Sequence, residues 1–184
     1  MKKTVWAIVG AFVAVAVLIT GVLVIRSDLS TPTTQEGSDS HHHGDPLAPQ
    51  DATPSEVARN ALSVIFAWQP AQDASPWDAL HRAEDLVTGP LEEAAATSPT
   101  PAPAPPSEWA AWKRGGDTLT AAVTVTEDPV ISGTIATTTA QLKQVVLHAD
   151  GDSTPYMTMT ATVTLAQDSD GVWRVSNYQL RANR

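Results

Sequence analysis

The chain contains no cysteine. Disulfides, thiolate nucleophiles and cysteine-ligated metal sites are excluded together, so any core must hold without covalent staples. Basic residues are scarce beyond the first 26 positions. Residues 27–184 hold all 20 acidic side chains but 8 of the 11 basic ones, because Lys2, Lys3 and Arg26 precede them, and they carry a formal charge of −12. A surface of that sign has no basic stripe, so no nucleic-acid partner is expected and the body should be soluble and acidic. There is no phosphate-cradling glycine loop, and no serine has a nucleophile-elbow context. Asp168-x-Asp170-Gly171 begins like a calcium loop, but its glycine comes too early and Gln179 stands where a bidentate glutamate is required. His41-His42-His43, near Asp39 and Asp45, can capture a metal ion weakly, but a preorganised site is not expected there because ordering a flexible polar stretch costs entropy. Neither metal nor cofactor is expected.

Charge is also absent between Lys3 and Arg26. Thr4–Ile25 is a run of 22 residues, nearly all Val, Ala, Ile, Leu, Gly or Phe. At about 1.5 Å per residue it makes about 33 Å of helix, enough to cross a hydrocarbon core of about 30 Å. Two lysines precede it, and after Arg26 the charges from Asp28 to Asp51 are all acidic, which places the N-terminus in the cytoplasm and the rest of the chain outside. A cleaved secretory signal is the competing reading. Its apolar core usually spans about 7–15 residues and ends in a small-x-small site, whereas this run is longer and ends in Leu23-Val24-Ile25-Arg26-Ser27. The expectation is therefore an uncleaved, single-pass signal-anchor over residues 1–26. Small residues four apart (Ala7/Ala11, Gly10/Ala14, Ala16/Thr20) would allow such helices to pair, so a homo-oligomer stays open.

Residues 27–52 are rich in Ser, Thr, Pro, Asp, Gln and Gly without apolar periodicity, and read as a disordered acidic stalk. The folded part is expected over 53–184. Thr53-Pro54-Ser55-Glu56 is a capping box, and Val57, Ala58, Ala61, Leu62, Ile65, Phe66 and Trp68 follow at helical spacing as far as Gln69-Pro70. Ser75-Pro76-Trp77-Asp78 repeats the device and predicts a second helix to about Val87, with a short third over Leu91–Ala96. Residues 97–107 form a proline-rich loop. Beyond it the period changes to two. Thr118–Thr126 and Tyr156–Leu165 alternate apolar residues with threonine, as half-buried antiparallel strands do. Ala136–Ala149 is apolar on both phases around Val145, Val146 and Leu147, which suits a central strand, and Val172–Leu180 changes phase near Asn177, which suggests a bulge. Asp150-Gly151-Asp152 and Asp168–Gly171 are turns. The fold class is α+β: two or three helices packed on a curved antiparallel sheet of about four strands.

This order resembles the cone-shaped α+β fold of the nuclear transport factor 2-like superfamily, and Asp170-Gly171-Val172-Trp173-Arg174-Val175 with Tyr178-Gln179-Leu180 resembles its closing strand. One membrane helix feeding an exported cone is similar to three groups: assembly subunits of type IV secretion and conjugation machines, actinobacterial Mce-associated membrane proteins, and small membrane proteins of actinobacterial mobile elements. Leu86-Val87-Thr88 and Trp109-Ala110-Ala111-Trp112 look most like the last. The resemblance implies membrane topology and helix–sheet packing, and envelope proteins as partners.

Enzymes of that superfamily place Asp, His or Tyr in the mouth of the cone. The inward phases of these strands carry Leu, Val, Ala, Met and Trp, and no carboxylate interrupts them. His81, among Asp78, Glu84 and Asp85, reads as part of a solvated face paired with Arg82, and His148 as a strand-end residue. No catalytic residue is expected. Trp109 and Trp112 should share one face of a helical turn, either capping the open end of the cone or lining a partner or apolar-ligand surface, for which Met157, Met159 and Trp173 are the other candidates. The expected function is non-enzymatic: a membrane-anchored, extracytoplasmic assembly or interaction protein, accessory to a conjugation or secretion apparatus. The alternatives are cavity binding of a lipid or other apolar ligand, favoured if Met157, Met159 and Trp173 line an open cavity, and a small cone-fold enzyme.

Overall fold

A computed structural model describes residues 52–182. The apolar run Thr4–Ile25, nearly all of the stalk and His41–His43 lie outside the described residues, and no helix within them is long and apolar enough to cross a membrane. Helix α1, Pro54–Ile65, starts on the expected capping box. The Glu56 carboxylate accepts from the Thr53 amide at 2.8 Å and the Thr53 hydroxyl at 2.7 Å, while Thr53 Oγ1 accepts from the Glu56 amide at 3.4 Å. These bonds to the charged form hold the Glu56 carboxyl below its usual range, the Thr53 amide contributing most.

The second start works one residue later than the spacing predicts. Pro76 takes the cap position, α2 runs Trp77–Arg82, and the Asp78 carboxylate accepts from the amides of Ala74 and Ser75, both at 2.9 Å. The helix does not continue to Val87. A 3₁₀ turn, Glu84–Leu86, intervenes, because Val87 must be extended to bridge Val175, and the Thr88 amide donates to the Val175 carbonyl at 2.9 Å. Ala79, Ala83 and Val87, four residues apart, are the positions this segment buries. Helix α3 is Pro90–Ala96 and α4 is Trp109–Gly115, the latter ended by Gly116 in the left-handed region at φ +70°.

The strands are β1 Thr118–Val125, β2 Val130–Ser132, β3 Ile135–Leu147, β4 Ser153–Gln167 and β5 Trp173–Ala182. They form one antiparallel sheet in the order β1-β3-β4-β5, with β2 paired to β3 beyond the end of β1. The sheet thus has five strands, one more than expected. The extra one is three residues long, turned by Gly133-Thr134 with Gly133 at φ +60°. Two register shifts bend the long strands. One leaves Ser176 as the extra residue on β5, next to the predicted Asn177. The other, opposite Gln144/Val145, leaves Tyr156 extra on β4.

The inner face of the sheet carries Leu119, Ala121 and Val123 from β1, Ala136, Ala140, Leu142 and Val146 from β3, Met159, Ala161, Val163 and Leu165 from β4, and Val175 from β5. Helix α1 packs across it and touches all four long strands. Its buried stripe is Val57, Ala58, Ala61, Leu62 and Ile65. Burying a side chain such as Leu62, Leu142 or Leu165 contributes about 1.5–3 kcal/mol each relative to exposure. The opposite face is threonine-rich and open, as the alternation of β1 and β4 requires.

Candidate functional site

One end of the inner face is closed by aromatic rings. The chain after α1 bridges β1 through Trp68 and Leu119, whose backbone groups exchange hydrogen bonds at 3.0 and 2.8 Å. That fixes the Trp68 ring beside α4. Its centroid lies 5.8 Å from Trp109, Trp109 lies 6.3 Å from Trp112, and Trp112 meets Tyr156 edge-on at 5.0 Å. All three indoles are buried. Desolvation pushes the Tyr156 phenol up, reinforced by the Glu108 charge, and burial does the same to Tyr178, so both are neutral at neutral pH.

The candidate residues do not converge on one place. Trp109 and Trp112 meet in this wall. Met159, opposite Leu142, is buried nearby, but Met157 is 39% exposed, because Tyr156 at the bulge covers the aromatic wall in its place. Trp173 is buried at the start of β5, opposite Gln167, whereas Met159 pairs with Ala182 at the far end of the same ladder. At about 3.3 Å per residue these two lie about 26 Å apart along β4. Met157, Met159 and Trp173 therefore do not share a cavity.

Gln144 interrupts the apolar lining. It is 1% exposed, its Nε2 donates to the Phe66 carbonyl at 2.9 Å, and its Oε1 has no partner among the described residues. The amide thereby ties the buried C-terminal end of α1 to the sheet. Thr138 is the other buried polar side chain of the sheet, and it donates to the Glu127 carbonyl at 2.6 Å.

The structure brings together one acid–imidazole–hydroxyl set. His148 Nδ1 lies 3.2 Å from the Asp117 carboxylate, and Nε2 lies 2.8 Å from the Thr154 hydroxyl. A nucleophilic triad also needs amides free to stabilise an oxyanion. Here the turn amides are engaged: His148 N–H on Asp152 O, Gly151 N–H on His148 O, and Asp152 N–H on Asp150 Oδ1. The set ties the β3–β4 hairpin to the start of β1. Sequence spacing gave no sign of it, because Asp117 and His148 stand on different strand ends.

The expected charge pairs from the acids around His81 to Arg82 do not form. His81 stacks on Trp77 at 5.2 Å, with Nδ1 3.1 Å from the Ala95 carbonyl and 3.4 Å from Glu84. Arg82 turns away to the buried Asp73, which also accepts from the Gln69 amide at 2.7 Å. A polar hollow beside α1 is bordered by Arg82 and Arg174, but Arg174 is committed to Asp168 and to the Asp85 carbonyl, so neither cation is free for an anion. The amides of Asp170 and Val172 and the Arg174 guanidinium hold the Asp168 carboxyl below its usual range, Val172 contributing most. Among the described residues, no three His, Asp or Glu side chains are grouped to hold a metal ion.

Aliphatic side chains stand in solvent at the opposite extreme of the sheet. Val130 is 74% and Ile131 56% exposed on β2, and Ile135 across the hairpin is exposed too. Beyond β2 no further strand pairs among the described residues, so its outer backbone groups form a free edge.

No family model matches the chain, and no curated protein matches it. Among solved structures, CagV of Helicobacter pylori, a VirB8 homolog of the type IV secretion system, is similar with a TM-score of 0.47 and 8% identity over 71% of this chain and 97% of that one. An IcmL-like type IV secretion system protein of Legionella pneumophila has a TM-score of 0.47 and 10% identity, over 71% and 91%. VirB8 of Agrobacterium tumefaciens has a TM-score of 0.43 and 14% identity, over 72% and 96%. Likenesses this distant assign neither a family nor a function.

Proposed function

We propose that the chain is a non-enzymatic, membrane-anchored interaction protein whose α+β domain works outside the cytoplasmic membrane as an accessory assembly subunit of a conjugation or secretion apparatus. The observation that carries this reading is the distribution of apolar side chains. The inner face, where a cone-fold enzyme would keep its polar groups, is filled by α1 and the aromatic wall, while Val130 and Ile131 stand in solvent on the free edge strand β2 and Ile135 is exposed on β3 beside it. Scattered exposed aliphatics need no explanation, but exposed aliphatics on both faces of an unpaired edge strand mark an edge that association would cover. The charge-free run Thr4–Ile25 supports the anchoring. Confinement to a membrane raises local concentration, so a small contact suffices.

The test has two parts. A phosphatase fused after Arg184 should be active, as export requires; an inactive fusion with an intact chain would reverse the topology. Gentle detergent extraction through a C-terminal tag should then retain subunits of an envelope machine, and recovery of the chain alone from crosslinked cells would remove the assembly role.

A further inference from the structure

An apolar groove remains that the proposed assembly surface does not use. It opens between the end of α1, the start of α2, the end of α3 and the proline-rich loop, with Tyr178 of β5 also lining it. Its volume is about 340 Å³, in the range of small-molecule pockets, about 300–1,000 Å³. In so acidic a chain its lining is uncharged throughout, and Phe66, Trp68, Trp77 and Tyr178 supply the rings. Both indole N–H groups are already satisfied: Trp68 donates to the Ile65 carbonyl at 3.1 Å and Trp77 to the Ala94 carbonyl at 2.7 Å. The Tyr178 hydroxyl has no hydrogen-bond partner among the described residues, although its ring is fixed edge-on against Phe66 at 5.8 Å. The groove therefore combines an apolar slot with one phenol whose hydroxyl has no protein partner among the described residues.

We propose that this groove binds a small uncharged molecule: a compact apolar body carrying one hydrogen-bonding group, such as a phenol or alcohol, directed at Tyr178. Size sets the upper limit. The groove lies at the small end of ligand pockets, about 300–1,000 Å³, too small to enclose a two-chain lipid. Polarity sets the other limit. A carboxylate, phosphate or ammonium would lose its hydration and find no charged partner in the lining. An apolar body bearing one hydroxyl loses nothing comparable, since Tyr178 replaces water as its partner.

Naphthol is the probe, added to the full chain in lipid nanodiscs with its six tryptophans replaced by fluorotryptophan and assigned by single substitutions. Fluorine NMR should show saturable shifts of the Trp68 and Trp77 signals, while Trp173 stays still. Ala94→Phe adds a ring at an exposed position of α3 on the groove's rim; with its melting temperature unchanged, it should weaken binding at least about tenfold. Tyr178→Phe should weaken naphthol by about three- to tenfold, as loss of one hydrogen bond does, and leave naphthalene unaffected. Three results overturn the proposal: no saturable shift, a Trp173 shift that tracks the others, or wild-type affinity in Ala94→Phe.

Discussion

Replacing Trp112 by alanine separates a wall of the core from a binding surface. The indole is 7% exposed, with Tyr156 and Trp109 edge-on to it at 5.0 and 6.3 Å. Truncating a buried tryptophan costs about 3–5 kcal/mol, and the two aromatic contacts place Trp112→Ala in the upper half of that range. Total stabilities of single domains are about 5–15 kcal/mol, so a large fraction of the whole is at stake. In a domain of this size the melting temperature should fall by about 12–20 °C. Denaturant unfolding of the full chain in detergent, followed by near-ultraviolet circular dichroism, measures the loss directly. Trp112→Phe, which keeps a ring against Tyr156, should recover more than half of it. A loss below about 1 kcal/mol, the size of a surface substitution, would refute the packing argument. If the same variant also lost its envelope partners while melting like the wild type, Trp112 would belong to an interface.

Thr53→Ala removes the α1 cap and should cost about 1 kcal/mol by the same unfolding assay. The Glu56 carboxyl has its folded value below the unfolded one, so its stabilisation is present above the ordinary carboxyl value of about 4.3 and is lost as pH falls through the folded value; the stability gap between wild type and Glu56→Gln should close in acid. Gln144→Glu buries a carboxylate with no cation beside it and should cost more than about 3 kcal/mol at neutral pH. Burial raises that new group, so the deficit should fade as pH drops toward the unfolded carboxyl value; a deficit independent of pH would point to a steric cause. Asp73→Ala leaves the Gln69 amide without its acceptor and the Arg82 guanidinium with the Ala67 carbonyl alone, a loss of about 1–3 kcal/mol in denaturant unfolding.

Local signals in the sequence carried most of the fold. The capping box at Thr53–Glu56, the period-two threonine strands and the phase slip that became the Ser176 bulge are all statements about neighbouring residues, and periodicity records those. The end of α2 was not legible, because it is decided by Val87 bridging a strand 88 residues further on. Strand β2 was missed because three residues are too few to show a period, and Ser132-Gly133-Thr134 alone marks only a turn. The exposure of Met157 follows from a bulge whose cause, the Tyr156 ring seated between Trp68 and Trp112, is a long-range contact. For the same reason the Asp117–His148–Thr154 set and the groove at Tyr178 had no signature in spacing.

Photocrosslinking from Ile131 in intact cells tests the central claim most directly. A crosslinking residue at position 131, on the free edge of β2, should join the chain to subunits of an envelope machine, and one at the buried position 165 should give no adducts in the same cells. Equal silence from both positions, with export of the chain confirmed, would contradict the account.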